Sequence, residues 1–141
     1  MTLKQNFEIV MEQSTNMALA TSVENIPNVR IVTFGYNPAQ PGHLFFTTFP
    51  GNAKIAEFAK NPNVSCMPLP ESPEAGIQVR LHGTVKPSAS SIEKIAPLLL
   101  KKFPAFQETL QAAKDILLVY EVNFSEAFVT VGMAEAQCVS L

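Results

Sequence analysis

The chain has 141 residues, enough for one domain and too few for two of ordinary size. With 47% hydrophobic and 16% charged residues it has the apolar content of a packed core and lacks the composition of a disordered segment. A formal net charge of −2 with no long run of one sign argues against a nucleic-acid footprint or a polybasic membrane patch.

No apolar run reaches the roughly 18 residues that a membrane span needs. Lys4, Glu8 and Glu12 near the N-terminus set the expectation of no secretory leader and a cytoplasmic location. Cys66 and Cys138 stand alone, without metal-type spacing, and are expected to be two buried free thiols. The low charge of so short a chain leaves apolar surface for a second subunit to cover, so a homodimer is expected.

In chain order, residues 3 to 14 read as an amphipathic helix, with Leu3, Phe7, Val10 and Met11 on one face. From Met17 the period changes to two, and a strand runs to Val23. Residues 24 to 28 read as the turn of an antiparallel hairpin, whose second strand runs from Val29 to Tyr36. Asn37 to Gly42 is a loop and His43 to Phe49 a third strand. Pro50-Gly51-Asn52 breaks that strand and opens a helix with Ile55, Phe58 and Ala59 as its apolar stripe.

Val64 to Leu69 is a fourth strand, followed by a loop through Glu74. Gly76 to Lys86 alternates most cleanly: Ile77, Val79, Leu81 and Val85 face one way, Gln78, Arg80, His82, Thr84 and Lys86 the other. Ser90 and Glu93 match a capping box for a helix with Ile92, Ile95, Ala96 and Leu99 inward and Pro97 as a kink. Pro104 suits the first position of a further short helix, with Phe106, Leu110 and Ala113 inward. Residues 116 to 123 and 127 to 132 are strands, and the last residues an extended or frayed tail. Many antiparallel strands with helices at the joints predict a mainly β (α+β) barrel decorated by helices, as one domain over 1–141.

Three segments carry candidate chemistry. In Thr47-Thr48-Phe49-Pro50-Gly51-Asn52-Ala53-Lys54 two hydroxyls end a strand, an asparagine caps a helix and a lysine sits in its first turn. A cation at the positive end of a helix is unfavourable unless an anion joins it, so hydroxyls, free N–H groups and ammonium together suit a phosphate. A solvated surface lysine fits the same residues. Arg30 lies in an otherwise apolar strand and needs a carboxylate, a phosphate or solvent. Gln78, Arg80 and His82 share the polar face of a strand; they suit the polar edge of a heterocycle or a wet sheet face equally. There is no GxGxxG, Walker-type loop, HExxH or GxSxG, and the two histidines are far apart in sequence, so no metal site or triad is expected.

The ordered pieces Ala18-Leu19-Ala20-Thr21, Pro27-Asn28-Val29-Arg30-Ile31-Val32, Leu44-Phe45-Phe46-Thr47-Thr48, Asn52-Ala53-Lys54-Ile55, Asn61-Pro62-Asn63-Val64-Ser65 and Gln78-Val79-Arg80-Leu81-His82-Gly83 resemble the pyridoxamine 5'-phosphate oxidase-like family. The likeness extends over roughly residues 4 to 131. It implies a six-stranded antiparallel split barrel, a homodimer, and flavin mononucleotide (FMN) at the subunit interface. By the same resemblance Arg30 and Lys54 would hold the phosphate, with Thr47, Thr48 and Asn52, the last standing where many relatives have serine. Val32 and Thr33 would line the isoalloxazine edge, and Gln78 and Arg80 would approach it from the later strand, of the same or the other subunit.

Family members that oxidise pyridoxamine phosphate carry a late Arg/His segment, and no arginine follows Arg80 in this sequence. The implied activity is therefore an FMN-dependent oxidoreduction of a small organic substrate or nicotinamide other than vitamin B6 oxidation. The alternatives are a non-catalytic module for a flavin, deazaflavin or haem, with His43 and His82 as the available axial ligands, and a cofactor-free scaffold whose cleft is filled by Phe34, Phe49 or Tyr36.

Overall fold

A computed structural model describes residues 1–71 and 76–141. The elements are α1 (Leu3–Gln13), β1 (Asn16–Val23), β2 (Ile26–Thr33), β3 (His43–Thr48), α2 (Ala53–Lys60), β4 (Asn63–Pro68), β5 (Ile77–Pro87), α3 (Ile92–Lys102), α4 (Phe106–Ala113), β6 (Leu118–Asn123), β7 (Glu126–Val131) and β8 (Gln137–Ser140). All strand pairs are antiparallel, and the main path across the sheet is β2-β1-β4-β5-β6-β3. The sheet curls until its two edges meet at one point. Gly35 and Phe45 exchange N–H···O bonds of 2.7 and 3.0 Å across the β2 and β3 edges. Beyond that bridge, toward Thr33 and Thr48, the two edges do not pair, and the barrel is split there.

The long strand β5 organises the rest. Its residues 81–84 pair with β4. On its other side residues 77–81 pair with β7 and 84–87 with β6. Gly83 sits where the strand changes partners, and a Cβ there would collide with the carbonyl oxygen of Asn123. The alternation read from the sequence holds along the strand, with Val79, Leu81 and Val85 buried and the polar residues exposed.

Phe7 and Met11 of α1 plug the barrel interior against Leu19, Phe34, Phe46 and Val122, all fully buried. A second apolar layer, centred on Phe45, Ile95, Leu99 and Phe106, lies between the outer side of β3 and helices α3 and α4.

Several boundaries differ from expectation. Glu24 and Asn25 both take positive φ, 53° and 64°, which makes a two-residue hairpin turn matched to the strand twist. Strand β2 therefore starts at Ile26, and its Pro27 is tolerated because β2 is an edge strand. The segment after Ala134 is β8, not a frayed tail; it pairs with β7 and buries Val139. Ser91, not Ser90, caps α3, its Oγ accepting from Lys94 N at 3.4 Å, because the buried face at Ile95, Ala96 and Leu99 fixes where the helix starts. The helix runs on through Pro97. Pro104 lies in the turn before α4, whose N-cap is Ala105. Ala59 is exposed, so α2 packs through Phe58 and Ile55. Cys66 is buried as expected, whereas Cys138 is exposed on β8. The loop expected through Glu74 extends into residues 72–75, outside the described residues. Among the described residues no helix is long and apolar enough to cross a membrane.

Lys102, at the end of α3, ties that helix to α1. Its ammonium donates to the Met11 carbonyl at 2.6 Å and lies 3.4 Å above the Phe34 ring centroid. Both contacts favour the charged form, but burial outweighs them and pushes its pKa down to about 7. Between that value and the ordinary 10.5 the unfolded chain binds the extra proton, so stability rises with pH across this window. Replacing Lys102 with Met is expected to stabilise the protein most below pH 7, with the advantage shrinking toward pH 10. Urea denaturation of both proteins at pH 6 and 9.5 checks this, and a pH-independent difference would contradict it.

Candidate functional site

Where the barrel is split, a cleft of about 240 Å3 opens. One wall comes from the separating edges, Val32 and Thr33 at the end of β2 and Thr47 and Thr48 at the end of β3, with Phe49, Asn52 and Lys54 following. The opposite wall comes from Leu99, Phe103, Phe106, Thr109 and Leu117 on and after α3 and α4. Six of the nine residues expected to bind the cofactor, Val32, Thr33, Thr47, Thr48, Asn52 and Lys54, thus line one cavity.

Local structure places each of them. Asn52 is extended and caps α2, its Oδ1 accepting from Lys54 N at 3.3 Å. Gly51 before it has φ +80°, a conformation that glycine adopts without strain. Lys54 therefore sits in the first turn of α2, at the end carrying unpaired N–H groups. Burial and the nearby Arg30 charge hold the Lys54 ammonium below its usual pKa, with Glu57 opposing them. Thr48 is buried, and its Oγ1 has no hydrogen-bond partner among the described residues. A buried hydroxyl left unpaired costs about 1–3 kcal/mol, and this one belongs to a residue lining the cleft.

Arg30 stands one inward-facing position before Val32 on β2, directly across from Leu19 of the barrel core. It is half-buried beneath α2 and paired with Glu57 at 2.7 Å. Its Nη1 donates to Thr21 Oγ1 at 2.9 Å and, more weakly, to the Leu19 carbonyl at 3.4 Å. Arg30 is thus beside the cleft without lining it. The hydrogen bond from Thr21, followed by those from Arg30 and Asn28, holds the Glu57 carboxyl below its ordinary pKa. Glu57 escaped the sequence reading, although two signals for it existed: an arginine in an apolar strand needs a counter-charge, and Glu57 lies three residues after Lys54 on one helix. The α3–α4 wall was missed as well, because its residues read as an ordinary helix core.

Gln78 and Arg80 are elsewhere. They lie on the exposed outer side of β5, opposite Thr130 and Phe128 of β7. Arg80 borders a separate depression of about 230 Å3 with Ala18, Ala20, Ser65, Cys66, Met67 and His82. His82 and His43 both border another shallow dish. Their Nδ1 atoms are engaged, His82 with Ser65 Oγ at 2.8 Å and His43 with the side chains of Asn123 and Glu121. Among the described residues no three His, Cys, Asp or Glu side chains gather to hold a metal. Phe34 and Tyr36 fill the barrel interior, not the cleft, and Phe49 is 44% exposed at the cleft wall; the cleft stays open.

A curled antiparallel sheet with helices at its joints and a cleft at the seam defines the split-barrel class. The chain belongs to the pyridoxamine 5'-phosphate oxidase-like family, whose pattern matches residues 10–136. The fold is similar to that of General Stress Protein 26 from Bacillus anthracis str. Sterne, with a TM-score of 0.74 and 16% identity over 100% of both chains. It is also similar to a heme binding protein from Mycobacterium smegmatis, with a TM-score of 0.78 and 13% identity over 99% of this chain and 58% of that one. HutZ, the heme storage protein from Vibrio cholerae, matches with a TM-score of 0.72 and 17% identity over 94% and 99% of the two chains. No curated protein matches this chain in sequence.

Replacing Thr48 with Val keeps the side-chain shape and removes the unpaired hydroxyl. The ligand-free variant is expected to be more stable by about 1 kcal/mol, readable as a rise of a few degrees in thermal midpoint. A fall instead would mean that the hydroxyl already has a partner.

Proposed function

We propose that the protein is an FMN-binding flavoprotein that acts as a homodimer and exchanges hydride with a small organic substrate or nicotinamide. The observation that carries this reading is the convergence, in one cleft at the seam of the barrel, of Thr47, Thr48, Lys54 and the Asn52-capped start of α2. Hydroxyl residues, a cation and free helix N–H groups are what a phosphate monoester needs. Membership of a pyridoxamine 5'-phosphate oxidase-like family agrees with a phosphorylated ring ligand.

Size and surface support the homodimer in this reading. A cleft of about 240 Å3 falls below the roughly 300–1,000 Å3 that enclose a cofactor, so one chain leaves much of the ring uncovered. Beside the cleft, Val29 and Ile31 on the outer side of β2 are 68% and 64% exposed. They continue across Ala18 and Ala20 to Met67, an apolar sheet face suited to a second copy. In this reading Gln78 and Arg80 of one copy serve the cleft of the other.

The bound flavin would supply the hydride-accepting and hydride-donating chemistry. The chain's own residues would hold and orient it. Lys54, Thr47, Thr48 and Asn52 take the phosphate end. The edge of β2 at Val32 and Thr33 offers backbone groups to the ring, and Phe49, Phe103 and Leu117 exclude water. Among the described residues Lys54 is the one titratable side chain lining the cleft, so proton transfer would fall to substrate or solvent.

The absorbance spectrum of the purified protein, before and after adding FMN, tests the reading. A flavin spectrum and saturable quenching of flavin fluorescence are expected, with affinity lowered tenfold or more by Lys54→Ala; no response to FMN at high concentration would refute the proposal. Bleaching of the bound flavin by NADH or NADPH separates an oxidoreductase from a binding module. The haem alternative draws on two structural neighbours, a heme binding protein and a heme storage protein. It is favoured if the same spectrum shows a Soret band that His82→Ala or His43→Ala abolishes. Light scattering of the purified protein is expected to give twice the chain mass of 15.4 kDa.

A further inference from the structure

Arg30 already has an anion from its own chain. Oε1 of Glu57 accepts from Arg30 Nη2 at 2.7 Å, from the Thr21 hydroxyl at 2.5 Å and from Asn28 Nδ2 at 3.3 Å. The Thr21 oxygen in turn accepts from Arg30 Nη1 at 2.9 Å. The terminal edge of the guanidinium, between Nη1 and Nη2, is therefore closed by the Thr21–Glu57 pair. Its side edge, with Nε–H, has no partner among the described residues. Thr21 is buried and Arg30 and Glu57 are largely covered, so the pair is a built feature of the fold and not a flickering surface contact.

Glu57 follows Lys54 by three residues on α2. One turn of helix thus presents the cation of the cleft and, beside it, the carboxylate that offsets the second cation. Lys54 and Arg30 together carry two positive charges, and Glu57 reduces the local sum to one. A phosphate monoester carries about −1.5 to −2 at neutral pH. The group of residues next to it is thus one charge short of compensating it.

We propose that Glu57 sets the charge of the phosphate cradle: by neutralising Arg30 it weakens the hold on the phosphate end of the cofactor while leaving the ring's interactions untouched. The proposal rests on the reading of the cleft as an FMN site. Its consequence is a cofactor that is held mainly through its ring and exchanges readily. Within a few ångströms of a half-buried site such a charge is only partly screened.

Comparing FMN with riboflavin isolates the phosphate, because the two share the ring. Dissociation constants for both, measured by flavin fluorescence on the full chain and on Glu57→Gln, give the test. Gln keeps an oxygen to accept from Thr21 and Arg30 and removes the charge. The preference for FMN over riboflavin is expected to rise about fivefold or more in Glu57→Gln at low salt, and to rise less at high salt.

Glu57→Ala, which also frees Arg30, is expected to move the same way, and thermal melting establishes that each variant is folded. An unchanged or smaller preference in the folded variants overturns the charge-setting role while leaving the flavin reading intact. A preference that falls in Glu57→Ala and is unchanged in Glu57→Gln makes Glu57 a positioning residue and overturns the proposal equally. Binding of neither flavin to any of the proteins overturns both readings.

Discussion

Two backbone hydrogen bonds between Gly35 and Phe45 join the edges of an otherwise open sheet, and the cleft exists because that joining stops after one bridge. An antiparallel ladder continued past Gly35 would bring Thr33 opposite Thr47 and seal the seam. Instead the β2 and β3 edges separate, each keeping ladder groups that no neighbouring strand uses. Unpaired strand edges are a liability on an exposed surface. Here the gap is roofed by α3 and α4 on one side and met by the start of α2 on the other, so the edge becomes the lining of a cavity. The barrel interior gains its stability elsewhere, from α1 and the aromatic cluster it buries.

The polar groups around the seam depart from what a purely structural sequence would choose. A lysine stands at the positive end of a helix, a buried threonine hydroxyl lacks a partner among the described residues, and an arginine is drawn under α2 by a carboxylate that three donors converge on. Local rules broken together in one place are a mark of a site, since each is costly alone and all are relieved or balanced by charge. The same region is the one where apolar surface is left on the outer side of β2. Electrostatics and packing are therefore both incomplete around a single strand.

What the sequence made legible follows from which signals are local. Period-two alternation placed β1 and β5, and the Gly51-Asn52 pair placed the start of α2, because burial and capping act over a few residues. The segments lining the cleft were readable for the same reason: Thr47 to Lys54 is continuous, and Val32-Thr33 ends a strand. Pairing information is not local. The eighth strand was missed because Gln137–Ser140 has little hydrophobic pattern of its own and gains its form from β7. The cap of α3 shifted from Ser90 to Ser91 because two adjacent serines are equivalent until the buried face chooses between them. The Arg30–Glu57 pair needed β2 and α2 to be brought together, and the far position of Gln78 and Arg80 needed the sheet to curl. Neither is written in spacing.

Gly35 has a further consequence through the helix above it. A Cβ at that position would lie 2.9 Å from Cβ of Leu98, so α3 rests directly on the backbone at the point where the barrel closes. The residue after Leu98 and the one capping the end of that helix, Leu99 and Phe103, belong to the far wall of the cleft. Seam and wall thus meet at the place where a side chain is missing. The width of the cavity is set by how closely a helix can approach bare main chain, and any residue larger than glycine at position 35 would press α3, and with it Leu99 of the cavity wall, outward.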